Sequence, residues 1–185
     1  MADVISILLQ DHNEVRQLFG QLDSAVGAEQ RTELFHKLVR ELAMHETAEE
    51  EVVYPALRKD AADGDAVADA RIEEEGEAEK LLSKMEKMDV ASEEFARALD
   101  KLRTAVLQHA EKEESEVFPR LRQAESEERL EAMGKILETA KKTAPTHPHP
   151  HVPNTAAANM AAGPMAAVFD RARDAIRDVR QRIAS

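Results

Sequence analysis

At 185 residues the chain is long enough for one domain with a sizeable core and a short appendage. Only 3% of it is aromatic and 34% is charged, with Ala, Leu, Glu and Arg abundant, a balance that predicts an almost wholly helical protein. The formal net charge of -12 argues against nucleic acid as the main partner, and the lack of cysteine excludes disulfides, iron–sulfur clusters and thiol catalysis, leaving nitrogen and oxygen ligands for any metal.

The start of the chain, Met1 to Ile5, has neither the basic residues nor the apolar core of a signal peptide, and no run is long enough to span a bilayer. The expected location is the cytoplasm. A first helix is predicted from Asp3, its N-cap, to Leu22, with Ile5, Leu8, Leu9, Val15, Phe19 and Leu22 as its buried stripe. His12 falls inside that stripe, as a core histidine or as a ligand. Gly27 marks the turn to a second helix, Ala28 to Leu57, whose inward face carries Leu34, Leu38, Leu42, His45, Glu49 and Val52. Glu49 is out of place there, because a carboxylate buried and ionised without a partner costs on the order of several kcal/mol. Pro55 is expected to end or kink this helix, and His36 to face solvent.

A polar turn at Asp60 to Asp65 leads to a third helix, about Ala66 to Met88, with Ile72, Glu75, Ala78, Leu82 and Met85 facing inward. Gly76 lies in its middle, where glycine costs roughly 1 kcal/mol relative to alanine. Ser92 caps a fourth helix carrying Phe95, Leu99, Leu102, Val106, His109, Glu113 and Val117. A shorter fifth helix, Ser126 to Lys142, turns Leu130, Met133 and Leu137 inward. The expected architecture is all-α: an up-down four-helix bundle over residues 1–143, with that fifth helix added. Residues 144–155, with Pro145, Pro148, Pro150 and Pro153, are expected to form an extended linker. Its histidines are read as part of a stiff spacer or as a surface metal site. Residues 156–185 complete the chain with an amphipathic helix opened by Pro164, which packs on the bundle or on a partner.

One pattern occurs twice. His45-Glu46-Thr47-Ala48-Glu49-Glu50-Glu51-Val52-Val53-Tyr54-Pro55 and His109-Ala110-Glu111-Lys112-Glu113-Glu114-Ser115-Glu116-Val117-Phe118-Pro119 share His, a Glu pair at the fourth and fifth places beyond it, Val, an aromatic and Pro. Histidine and glutamate four residues apart lie one above the other on a helix. Singly, such a pair is a surface contact or half of a metal site. Repeated on the inward faces of two bundle helices, it describes a dinuclear site to which His12 adds a third helix.

With Asp11-His12 and the two repeats, the chain resembles the hemerythrin-like proteins, the HHE cation-binding domain family, over about Asp3 to Arg122. The continuation from Thr143 to Pro148 and the alanine-rich helix beyond it are similar to its actinobacterial, particularly mycobacterial, branch. The resemblance implies a non-haem pair of irons joined by an oxo or hydroxo bridge, with Glu49 and Glu113 bridging and His12, His45 and His109 as terminal ligands. The family places a further histidine on the third helix after two glutamates. Here Glu74-Glu75 is followed by Gly76. Two six-coordinate irons offer about 12 positions, of which the implied donors and one shared oxygen fill roughly nine. Glu75 is the nearest acid to complete the set, or else a solvated member of its acidic run. Tyr54, in the place Phe118 takes in the second copy, is read either as core packing or as a phenol serving bound peroxide.

These readings lead to a catalase-like decomposition of hydrogen peroxide as the expected function, since open positions and carboxylate donors favour turnover. The alternatives are reversible capture or sensing of oxygen or nitric oxide, and an iron- or oxygen-responsive interaction module. The expected assembly is a monomer or homodimer.

Overall fold

The first helix begins where Asp3 caps it: its carboxylate accepts from the Ser6 backbone N–H at 2.8 Å, and α1 runs Val4–Ser24. The computed structural model describes residues 2–143 and 164–184, and no strand occurs among them. Gly27 turns the chain into α2 (Ala28–Ala48) with φ +86°, a conformation that suits glycine. The chain then continues through a π-helical turn (Glu49–Val53) into α3 (Tyr54–Asp60). After Asp63 comes α4 (Gly64–Met85), and after the Ser92 cap, which accepts from Phe95 N–H at 3.1 Å, comes α5 (Glu93–Lys112). A second π turn (Glu113–Val117) leads into α6 (Phe118–Ala124), followed by α7 (Glu127–Thr143) and α8 (Pro164–Ala184).

The bundle is therefore α1, the α2–π–α3 rod, α4, and the α5–π–α6 rod, with α7 laid against α1 and α8 against α2 and α7. Leu8, Leu38, Leu57, Leu82, Leu102 and Leu121 are fully buried in its core. Phe35 and Phe95 meet edge to face, 5.0 Å apart. Phe35 rather than Leu34 is the fully buried residue at that level, Leu34 being only partly covered. His36 is exposed as expected.

Pro55 does not end the helical run, which continues to Asp60. Proline lacks an N–H, and in an α-helix its ring collides with the carbonyl four residues back. The π turn resolves this one residue earlier: Tyr54 N–H reaches back five residues to Glu49 O, and the widened turn carries the rod past Pro55 into α3. Phe118 N–H and Glu113 O repeat the device before Pro119. Gly64 opens α4 directly against α3, where an added Cβ would lie 2.0 Å from Leu57 O. At Gly76 an added Cβ meets nothing within 4 Å, so no close approach accounts for that glycine.

Ala172, Ile176 and Val179 of α8 are buried against the bundle, and its arginines clasp the first π turn. Arg173 pairs with Glu50 at 3.3 Å, and Arg177 and Arg180 pair with Glu51 at 2.9 and 3.1 Å. Arg180 also donates to the Glu51 carbonyl at 2.6 Å, the group that at α-helical spacing would face the missing N–H of Pro55. The expected linker at 144–155 lies outside the described residues, as do the side chains of Met165 and Phe169. Among the described residues no helix is long and apolar enough to cross a membrane.

Candidate metal centre

The two π turns face each other across the bundle and set Glu49 and Glu113, both 0% exposed, at its middle. Within each copy histidine and glutamate lie side by side, His45 Nε2 being 3.3 Å from Glu49 Oε2 and His109 Nε2 3.2 Å from Glu113 Oε1. The carboxylate of Glu113 has one oxygen on each side. Its Oε2 is 3.2 Å from His12 Nε2 and 3.7 Å from His45 Nε2, while its Oε1 is turned to His109. Two sets of residues result, each with ligand atoms mutually within 4.8 Å: His12, His45, Glu49 and Glu113, then Glu49, Glu75, His109 and Glu113. The six candidate ligands of the sequence are thus brought together, with Glu49 and Glu113 common to both sets. The second set has one histidine to the first set's two, and Glu75 makes up its number.

The aromatic residues of the repeat cross over. Tyr54 lies 2.5 Å through its hydroxyl from Glu75 Oε1 and 3.0 Å from Glu113 Oε1, against the second set. Phe118 stacks on His12 of the first set, ring centroids 5.7 Å apart. Tyr54 is both a core residue and a hydrogen-bonding one.

Three acids behind the histidines were not singled out in the sequence as site groups. His12 Nδ1 donates to Glu114 at 2.8 Å, and Arg16 holds Glu114 at 2.8 Å. His109 Nδ1 donates to Glu74 at 3.1 Å, and Glu74 is held by Lys112 and by Arg71 at 2.9 Å. His45 Nδ1 faces Asp11 at 3.7 Å, and Asp11 is held by Lys141 of α7. A carboxylate on Nδ1 directs the Nε2 lone pair inward and raises its donor strength. Glu114 carried a signal, being the second glutamate of the repeated pair. Asp11 and Glu74 carried one too, standing directly before His12 and Glu75, whereas Lys141 reaches the site only through tertiary packing.

Without a cation, protons balance the buried charge of the site. Burial, then the neighbouring Glu113 and Glu75, push the Glu49 carboxyl well above its usual range. Burial raises Glu75 to about 8 against the opposing hydrogen bond from Tyr54. Burial opposes ionisation of Glu113 as well, but His109, His12 and His45 outweigh it and hold that carboxyl well below the usual range. Burial would lower His45, yet Asp11 and Glu113 raise it to about 9. Neither oxygen of Glu49 has a hydrogen-bond partner, nor has Glu75 Oε2 or His109 Nε2. Buried polar atoms without partners are rare and costly. All four belong to residues of the second set, Glu49 being shared with the first, and their N/O character fits borderline-hard divalent or trivalent metals.

A helical bundle with such a cluster is the architecture of a metal-binding carboxylate–histidine protein. The profile of the family described as hemerythrin HHE cation binding domain matches residues 3–121, and the chain belongs to that family. An uncharacterized hemerythrin-like protein of Schizosaccharomyces pombe is 31% identical over 175 residues, covering 94% of this chain and 86% of that one. A DNA nickase of a Nostoc species is 29% identical over 139 residues, which are 75% of this chain and 39% of the nickase. Among solved structures, a hemerythrin HHE cation-binding domain-containing protein from Mycobacterium kansasii shares the fold, with a TM-score of 0.68, 22% identity, and 77% of this chain and 86% of that one covered.

Proposed function

We propose that this chain is a non-haem di-iron protein that decomposes hydrogen peroxide. The observation that carries the reading is the unequal donor set, two histidines on one side and a single histidine with Glu75 on the other. A histidine-rich shell suits reversible carriage, whereas carboxylate donors stabilise higher oxidation states and favour cycling. His12 and His45 would hold one metal, His109 and Glu75 the other, and Glu49 and Glu113 would span both. When bound, the metal pair supplies the two-electron exchange by which two hydrogen peroxide molecules become two waters and one dioxygen.

The remaining work belongs to the chain. A cavity of about 360 Å3 lies over the histidines, with Val15, Leu42, Ala78 and Val106 among its walls, and has room for small molecules. Tyr54 holds a proton at its hydroxyl between Glu75 and Glu113, where burial and then the neighbouring carboxylates keep the phenol un-ionised. Glu74, Glu114 and Asp11 fix the imidazole orientations.

Metal content, an optical spectrum and oxygen release from peroxide by the iron-loaded protein test this reading. Release no greater than that of free iron overturns it. A stable oxygenated complex that reverts on degassing would support capture of oxygen instead, a reading favoured by the apolar cavity walls. The Nostoc relative's nicking activity is not brought to this chain, which spans 39% of that protein and carries a net charge of -12.

A further inference from the structure

The cavity over the histidines has a second property, its charge. It opens between α4 and α5, and glutamates 46, 73, 74, 75 and 77 line it against one lysine, Lys112, which Glu74 already engages. Their exposure falls with depth. Glu73 and Glu77 are at the surface, Glu74 is partly covered, and Glu46 and Glu75 are buried. Below them lie His12, His45 and His109.

Glu46 stands apart from both the core and the candidate ligands. It is 5% exposed, its Oε2 has no hydrogen-bond partner, and it belongs to neither set of candidate ligands. Packing does not call for a glutamate there, since the matching place in the second copy is filled by Ala110, also buried. A buried carboxyl group with one oxygen left without a partner is retained against a desolvation cost. An acid-lined cleft with low-dielectric walls concentrates cations and repels anions.

We infer that Glu46 is a transit ligand for divalent metal, taking the ion from the acidic mouth at Glu73 and Glu77 and passing it to the buried carboxylates and histidines below. The inference rests on the metal-binding reading of the site. It assigns Glu46 to the rate of loading and not to the final coordination, so uptake and endpoint separate the two.

The test uses the metal-free full chain mixed rapidly with Co(II), followed by its absorption bands. For Glu46→Gln the expected result is uptake slowed about tenfold or more, with the wild-type number of ions bound at the end. Glu46→Asp, which keeps the carboxyl group as a metal donor, should recover part of the rate, a rescue that a mere packing role would not give. Gln at both Glu73 and Glu77 should slow uptake less and weaken its salt dependence, whereas Gln at both Glu127 and Glu128, exposed on α7, should change nothing. Equal rates in Glu46→Gln and wild type overturn the inference and leave the metal site standing. A lower endpoint in Glu46→Gln also overturns it, making Glu46 a resident ligand. If the wild-type chain binds no ion, the metal-binding reading and this inference fall together.

Discussion

The Tyr54 hydroxyl lies 2.5 Å from Glu75 Oε1, joining the aromatic residue of the first repeat to the acid that completes the second set of candidate ligands. A phenol has one proton, so Tyr54 donates to Glu75 or to Glu113 and not to both at once. Phe118 shows that the fold accepts a phenylalanine at the matching place. Tyr54→Phe should therefore fold and keep its metal, while peroxide-dependent oxygen release falls about tenfold or more. Unchanged turnover at unchanged metal content would reduce Tyr54 to packing.

Metal counting tests the sharing of Glu49 and Glu113. Glu49→Ala and Glu113→Ala should each lose both ions, because both sets contain these residues. His109→Ala and Glu75→Ala should lose chiefly one, as should His45→Ala on the other side. Elemental analysis of the purified variants decides it. Full metal in Glu75→Ala would return Glu75 to the second rank.

The metal-free protein should become less stable as pH rises from about 4.5 to about 9. Unfolded, Glu75 loses its proton near 4.5, but folded it keeps it to about 8, so the folded state is penalised across that interval. Folded His45 stays protonated to about 9, against 6.5 unfolded, and its contribution is complete below 6.5 and lost as pH climbs through 9. Glu113 works the other way: its contribution is present above 4.5 and lost as pH falls well below that. Metal displaces these protons, so the melting-temperature gap between loaded and metal-free protein should widen with pH. A gap that narrows would contradict the proton–metal competition.

Most of the bundle was legible from periodicity, because its stripes are continuous and Asp3 and Ser92 announce their helices. The paired repeat likewise located Glu49 and Glu113, since a glutamate in line with leucines must meet a cation or a proton once it is buried. What escaped was contributed by distant segments. Lys141 reaches Asp11 from α7, and Arg180 reaches Glu51 from α8, across 130 and 129 positions of sequence. No local spacing encodes such pairs. The π turns were hidden for a different reason, because proline reads as a break until neighbouring hydrogen bonds are free to shift.

The two glycines of α4 should respond oppositely to alanine. Gly76→Ala meets open space and gains about 1 kcal/mol of helix propensity, a rise of roughly 2–4 °C in Tm for a chain of this size. Gly64→Ala drives Cβ to 2.0 Å from Leu57 O and should cost about 1–3 kcal/mol or more by overpacking. Paired thermal melts suffice to check both.

Ile176, 0% exposed, should anchor α8 more firmly than its arginines do. Arg177 and Arg180 are about half exposed, and pairs of that kind contribute roughly 0–1 kcal/mol each. Ile176→Asp should release α8 to protease at moderate salt, while Arg177→Ala leaves it docked. The reverse order of sensitivity would make the clasp electrostatic.

Each π turn lets one residue too many ride in a rod whose two ends must keep a fixed angular phase. Deleting any one residue from Glu50 to Val53 would close the widened turn and set the Pro55 ring against the carbonyl four residues before it. It would also spin everything downstream by about 100°, carrying Tyr54 off Glu75 and Leu57 out of the core. The proline and the geometry of the centre therefore require the same chain length. Across related chains, insertions and deletions should collect at 61–63 and 86–92, and the interval from His45 to Pro55 should keep its length residue for residue.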